Sequence, residues 1–171
     1  MAFMAKHRAQ RHYNAGTRIL VNLAPSSSPK EDHMRAVNHL QRAVELDPNF
    51  AYGFHNLAHA WYKLAEHEYF TILANSQYKN MKDFDNAIDN AFENGHADMV
   101  DKIREQYLKE HERDGFVDAY FLFALQAVDR ALEIQYEFPQ AHNTRGMVLA
   151  KMYRLDEALE ATEVALSQAP D

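Results

Sequence analysis

Apolar residues recur at every third or fourth position along most of the chain. That spacing is typical of amphipathic helices, because about 3.6 residues complete one helical turn. The pattern predicts an all-α protein of eight helices. They lie near residues 3–23, 29–46, 50–75, 83–94, 97–112 and 116–136, with two more within residues 139–168.

Turn residues mark several ends of these helices. Ser28-Pro29-Lys30-Glu31 forms a capping box with a proline in the first turn, which predicts a helix start. Asn94-Gly95 and Gly115 predict helix ends. The third helix overhangs the usual turn and ends at residues 75–80, so we expect it to expose surface that something else covers. The sixth helix is apolar on almost every side, which places it centrally.

Small residues recur at fixed intervals in the last part of the chain. Gly146, Ala158, Ala165 and Pro170 are spaced 12, 7 and 5 residues apart. Ala36, Ala43 and Pro48 repeat the last two intervals, and Phe54-x2-Leu57-Ala58-x2-Trp61 has the pattern of a first helix that packs against a second. Because a residue without a large side chain lets two helices approach closely, these intervals predict repeated helix pairs.

These residues resemble the tetratricopeptide repeat, whose signature is Trp-x2-Leu-Gly-x2-Tyr, Ala-x3-Phe and Pro in a unit of about 34 residues. The last unit matches at its small residues and its proline. It departs at three positions that are usually large and apolar, where it has His142, Arg145 and Thr162. Since terminal repeats carry a polar outer face, we interpret the departures as those of a capping unit.

The resemblance implies one domain over residues 1–171, an α-solenoid of four antiparallel helix pairs. The pairs are expected near residues 3–46, 50–94, 97–137 and 139–168. In such proteins the first helices of successive pairs line a concave groove that receives a peptide or a helix of a partner. The groove residues expected here are Tyr52, His55, Asn56, His59, Tyr62 and Lys63 on the third helix, and Gln140, Asn143, Thr144, Met147 and Lys151 on the seventh.

Charge and composition narrow the classes of binding partner that we expect. The first 30 residues carry five Lys or Arg and no acid, whereas the rest of the chain carries a net charge of −12. An acidic body disfavours nucleic acid as the main partner, and we expect the basic first helix to pack on that body. There is no cysteine, no run of 18 apolar residues and no secretion signal, so no membrane partner and a cytoplasmic location are expected.

Enzymatic activity is not expected, because no nucleophile, phosphate-binding glycine loop or matched acid and base stands out. No cofactor is predicted either. Two other functions stay open beside the protein-binding module. One is a homo-oligomeric scaffold closed by Tyr69, Phe70, Tyr120 and Phe121, and the other is a metal-binding protein that uses His55 and His59, which are four residues apart on one helix.

Overall fold

Helices account for the described part of the chain, as the hydrophobic pattern predicts. The computed structural model describes residues 2–21, 29–75, 81–95, 99, 102–103 and 115–169. Within these residues it contains seven helices and no strand, and none of the helices is long and apolar enough to cross a bilayer. The helices are α1 (Ala2–Val21), α2 (Pro29–Leu46), α3 (Ala51–Asn75), α4 (Met81–Glu93), α5 (Gly115–Ile134), α6 (Pro139–Lys151) and α7 (Leu155–Gln168).

The boundaries follow local chemistry. Helix α2 begins at Pro29, whose missing N–H costs nothing in a first turn. Beyond the end of α4, Gly95 has a φ of 72°, which a glycine adopts without strain. Gly115 was expected to end the helix near 97–112, and it is the first residue of α5. That predicted helix lies largely outside the described residues.

Consecutive helices pack in the order α1, α2, α3, α5, α6 and α7. The sequence pattern predicted that the two helices within residues 50–94 form a pair, but the helix that packs most extensively against α3 is α5. Aromatic side chains join the two: Trp61 stacks on Tyr120 with ring centroids 5.4 Å apart, and the ring of Tyr62 lies 6.0 Å from that of Phe121. The second hairpin is therefore α3 with α5, and residues 76–114, which include α4, come between its two halves.

Glycine sets the close approach in the first and last hairpins. A Cβ atom on Gly146 would lie 2.7 Å from Thr162 Oγ1 and 3.1 Å from the Ala158 carbonyl oxygen. A Cβ atom on Gly16 would meet the Cγ of Leu40 at 2.6 Å and the Ala36 carbonyl oxygen at 3.1 Å. The same kind of contact thus recurs in α1/α2 and in α6/α7, as the predicted role of Gly146 requires.

The apolar core runs through all three hairpins and includes the middle of α5. Phe121 is 1% exposed, so it is not available to the homo-oligomer contact for which the sequence proposed it. Tyr69 and Tyr120 are half-buried and pack against the core, whereas Phe70 is exposed. Burial of α5 is incomplete, because Leu122 and Phe123 remain partly exposed.

The three residues interpreted as the polar departures of a capping unit make contacts within the protein. His142 is buried, and its Nε2 donates to the Tyr136 carbonyl oxygen at 2.9 Å. Arg145 is half-buried and pairs with Asp129 of α5 at 2.8 Å, and Thr162 packs against the backbone of α6. Of the three unusual residues only His142 is buried, and Arg145 and Thr162 are partly buried. The exposed side of α7 carries acids as well as leucines: Asp156, Glu160 and Glu163 are exposed, and Leu155, Leu159 and Leu166 are each 60–64% exposed.

Candidate binding cleft

A cleft of about 440 Å³ opens where α3, α6 and α7 meet. Helix α3 contributes two histidines, α6 contributes its outward polar residues and one methionine, and α7 closes the third side. The lining residues are His55, His59, Pro139, Gln140, Asn143, Thr144, Met147, Thr162, Ala165, Leu166 and Ala169. The 63 residues from 76 to 138 separate the two helices whose residues the sequence assigned to one groove.

Six of the eleven groove residues predicted from the sequence line this cleft. They are His55, His59, Gln140, Asn143, Thr144 and Met147. Among them, Gln140, Asn143 and Met147 are exposed, Thr144 is buried, and His55 and His59 are partly accessible. The remaining five, which are Tyr52, Asn56, Tyr62, Lys63 and Lys151, lie around the cleft and have other contacts.

A hydrogen-bond chain joins α3 to α6 at the floor of the cleft. His55 Nε2 lies 3.1 Å from Thr144 Oγ1, which in turn lies 3.0 Å from the Gln140 carbonyl oxygen. The carbonyl can only accept, and the hydroxyl has one proton, so both bonds are satisfied when His55 donates from Nε2. The ring of His55 also packs against Phe138, with centroids 4.9 Å apart.

Burial keeps both histidines of the cleft in the neutral form. Desolvation lowers the pKa of His55, and the neighbouring His59 lowers it further. Desolvation also lowers the pKa of His59, with a further lowering by the ammonium group of Lys63. At neutral pH each ring therefore presents one N–H donor and one nitrogen acceptor rather than a positive charge.

Glu66, farther along α3, is the shared partner of three polar side chains. Its carboxylate accepts a hydrogen bond from the Tyr62 hydroxyl at 3.0 Å and pairs with Lys63 at 3.0 Å and with Lys151 of α6 at 3.7 Å. Tyr62 is only 4% exposed, and burial raises its pKa to about 12, with Glu66 adding to the shift. The sequence placed Tyr62, Lys63 and Lys151 on the groove surface, whereas the structure engages all three with Glu66.

Asn56 and Tyr52 also contact neighbouring elements of the protein. The Asn56 amide donates to Thr17 Oγ1 of α1 at 2.9 Å, and the Tyr52 ring packs on Phe138 at 4.7 Å. The Asn56 bond links α1 to α3 just as the His55–Thr144 bond links α3 to α6. The first helices of the three hairpins therefore lie side by side.

Sequence reasoning missed the contribution of α7 to the cleft. Thr162, Ala165, Leu166 and Ala169 form its third wall. A signal for them was present, because Leu155, Leu159 and Leu166 follow helical spacing on a side of α7 other than the one occupied by Ala158 and Ala165. Two apolar faces on one helix indicate that one face packs against the neighbouring helix and that the other is available for a further contact.

The chemistry of the cleft is neutral and amphipathic. Amide, hydroxyl and imidazole groups supply donors and acceptors, while Met147 and Leu166 supply apolar surface. Within the part of the chain that the structure describes, no three His, Cys, Asp or Glu side chains come together to share a metal ion. His55 and His59 consequently stand as a pair of candidate ligands without a third protein ligand among those residues.

Comparison with known proteins adds no family to this picture: no family model matches the chain, and no curated protein is significantly similar to it.

Proposed function

We propose that this protein is a non-enzymatic protein-binding module, an adaptor or scaffold whose cleft between α3, α6 and α7 receives a peptide or a helix of a partner protein. In this proposal the hairpins form an α-solenoid of the tetratricopeptide type that includes an eighth helix near residues 97–112. The proposed location is the cytoplasm.

The observation that carries the proposal is the meeting of two distant helices at one cleft. The sequence pattern assigned His55 and His59 of α3 to the same groove as Gln140, Asn143 and Met147 of α6, and these residues do line a common cleft. Concave, largely apolar sites with a few convergent polar groups are the usual form of binding sites in proteins.

The repeated helix contacts support the solenoid part of the proposal. Gly16 and Gly146 both approach a second helix at a carbonyl oxygen and at the side chain four residues later. In the middle hairpin, Ala58 and Ala124 are both fully buried. A solenoid needs this kind of regular pairing, because each hairpin buries its apolar face only against its neighbours.

The chemistry of the lining suggests the kind of peptide. None of the described residues that line the cleft carries a full charge, and the two lysines beside it, Lys63 and Lys151, both pair with the single carboxylate of Glu66. Neutral donors and acceptors suit the amide groups of an extended backbone, and the Met147–Leu166 surface suits an apolar side chain. We therefore expect a neutral segment with one or two large apolar residues.

A selection of random peptides tests the proposal, because it does not depend on the identity of the partner. Random 12-residue peptides would be selected on immobilised protein, and the enriched peptides would be measured against Asn143→Arg, which places a long cation in the cleft. Asn38→Arg is the matched control, because Asn38 is an exposed asparagine on α2, away from the cleft. The proposal requires the enriched peptides to lose at least tenfold in affinity for Asn143→Arg and to bind Asn38→Arg like the wild type. Equal binding to both variants would refute it.

A homo-oligomeric scaffold is a second candidate, and the exposed leucines of α7 favour it. Leu155, Leu159 and Leu166 form an apolar row next to the cleft, where a second copy could pack. Light scattering over a hundredfold concentration range distinguishes the two functions. A mass that stays at 19.8 kDa supports the peptide-binding monomer, and a mass that rises and returns to that value in Leu159→Glu supports self-assembly.

A further inference from the structure

A second concave site lies between α1 and α2, and its charge is opposite to that of the protein as a whole. It has a volume of about 360 Å³ and is lined by Arg8, Arg11, His12 and Ala15 of α1 and by His39 of α2. The two arginines are three residues apart, so both project from one side of α1. The site does not share a residue with the cleft described above.

The arginines of this site differ from most others in the chain. Arg35, Arg130, Arg145 and Arg154 each pair with a carboxylate. The ion pairs among the described residues include neither Arg8 nor Arg11. The basic first helix was expected to pack on the acidic body, and it packs on α2 of that body; at this site, however, α2 brings two basic groups, His39 and Arg42, towards it.

Two histidines face each other across the same helix boundary. The Nδ1 atoms of His12 and His39 are 3.3 Å apart, and the ring centroids are 5.5 Å apart. The contact is a hydrogen bond only when one of the two nitrogens donates and the other accepts. It can therefore persist when one of the two rings is protonated, and it is lost when both rings are protonated. Desolvation, then His39, Arg42 and Arg11, lower the pKa of His12. Every charged neighbour that affects His12 is therefore cationic, and Glu45 already neutralises Arg42 at 2.8 Å.

A cation is a poor occupant for such a site, because it would be repelled by two guanidinium groups that have no carboxylate partner among the described residues. Nor do those residues supply a third side chain that could join the two histidines around a metal. A long polyanion such as nucleic acid is disfavoured as well, since residues 31–171 carry a net charge of −12. A small anion meets neither objection.

We propose that the α1–α2 site binds a doubly charged tetrahedral oxyanion, with Arg8 and Arg11 as its main ligands and the His12–His39 pair as an additional donor. The planar guanidinium group presents paired N–H donors that match the oxygens of a phosphoryl or sulfate group. The anion comes either from free phosphate or from a phosphorylated side chain of a peptide.

Sulfate is the first probe, because it keeps its double charge between pH 5 and pH 8 while phosphate does not. Binding would be followed through the imidazole NMR signals of His12 and His39 during a sulfate titration at constant ionic strength, with chloride as the balancing salt. The expected result is a saturable shift of both signals. Arg8→Ala and Arg11→Ala should each weaken binding about three- to fivefold, the usual range for an exposed ion pair. Arg18→Ala, an exposed arginine of the same helix that does not line the site, is the matched control and should leave binding unchanged.

The pH dependence gives a second test. A bound anion favours the protonated form of His12, so sulfate affinity should rise as the pH falls below about 6.5. The rise should be smaller in His12→Gln. A non-saturable response, or equal loss in the Arg8, Arg11 and Arg18 variants, would overturn the proposal.

The source of the anion is decided by two further probes. Tighter binding of a phosphoserine peptide than of inorganic phosphate, with no binding of the unphosphorylated peptide, assigns the site to a phosphorylated partner. Equal binding of the phosphopeptide and of inorganic phosphate assigns it to free phosphate. Tighter binding of a single-stranded oligonucleotide than of either probe, through Arg8 and Arg11, would contradict the proposal of a single-oxyanion site.

Discussion

Replacing Gly146 by alanine should destabilise the protein, although the same change in the interior of a helix usually does the opposite. Alanine is favoured over glycine in a helix by about 0.8–1.0 kcal/mol. At Gly146, however, the new Cβ would lie 2.7 Å from Thr162 Oγ1 and 3.1 Å from a carbonyl oxygen of the same helix α7. Rotation of Thr162 can relieve the first contact, but only movement of the backbone can relieve the second.

The magnitude follows from these opposing terms. Overpacking of this kind costs about 1–3 kcal/mol, so after subtraction of the propensity gain we expect a net loss of about 1 kcal/mol in the free energy of unfolding. Gly16→Ala should cost more, about 2 kcal/mol, because its Cβ would meet the branched Cγ of the fully buried Leu40 at 2.6 Å. Both hairpins should therefore respond in the same direction.

Urea denaturation followed by circular dichroism is the assay, with the slope of free energy against urea checked for constancy. Gly115→Ala is the control, since a Cβ there has no neighbour within 4 Å, and it should be neutral or stabilising. In the Thr162→Ala background the cost of Gly146→Ala should shrink by about 0.5 kcal/mol or more, because one of the two contacts is gone. If Gly146→Ala and Gly16→Ala stabilise the protein as much as Gly115→Ala does, the close helix approach at these positions is wrong.

Three other predictions concern the histidines of the cleft, the bond from α3 to α1 and the core. The pKa values of His55 and His59 are lowered in the folded state, so the unfolded chain binds more protons below about pH 6.5 and the free energy of unfolding should fall as the pH drops. Urea midpoints at pH 7.5 and 5.5 measure this loss; it should be smaller in His59→Gln, and an equally small loss in the exposed His7→Gln would argue against burial as the cause. Asn56→Ala should cost about 1 kcal/mol of stability through the lost hydrogen bond to α1, whereas unchanged urea unfolding would place this side chain on the free groove surface that the sequence suggested. Phe121→Ala should cost about 3–5 kcal/mol because it opens a cavity in the core; a thermal midpoint close to that of the wild type would exclude the packing of α3 on α5.

Local patterns in the sequence predicted most of the helix ends. The proline at the start of α2 and Gly95 after α4 act within one turn of the chain, so their effect is readable without tertiary structure. The role of Gly146 was also predictable, because its distance in sequence from Ala158 is the distance that brings a second helix back onto the first.

The partner of α3 could not be predicted in this way. The sequence pairs α3 with the next helix along the chain, whereas the structure packs it most extensively on α5, some 40 residues beyond its end. The reason is the aromatic face of Trp61 and Tyr62, which matches Tyr120 and Phe121 of α5. Complementarity of that kind depends on side-chain shape and not on spacing.

The candidate cleft was predictable in its position and less so in its chemistry. Helical spacing identifies the face of α3 that carries His55 and His59 and the face of α6 that carries Asn143. These two faces were sufficient to locate the cleft. Helical spacing does not reveal that Glu66 engages Lys63, because a residue three positions away on a helix can pair with it or remain in solvent. Two of the expected groove residues, Lys63 and Lys151, therefore pair with Glu66 and do not line the cleft.

The most direct test of the proposed function is the response of the His55 and His59 imidazole signals to a selected peptide in a two-dimensional NMR titration. Both rings lie in the cleft, and no other described histidine lines it. The account predicts that these two signals shift in a saturable manner while that of His7, which is exposed on α1, stays in place. Saturable binding of the peptide that leaves the signals of His55 and His59 unchanged would contradict the assignment of this cleft as the binding site.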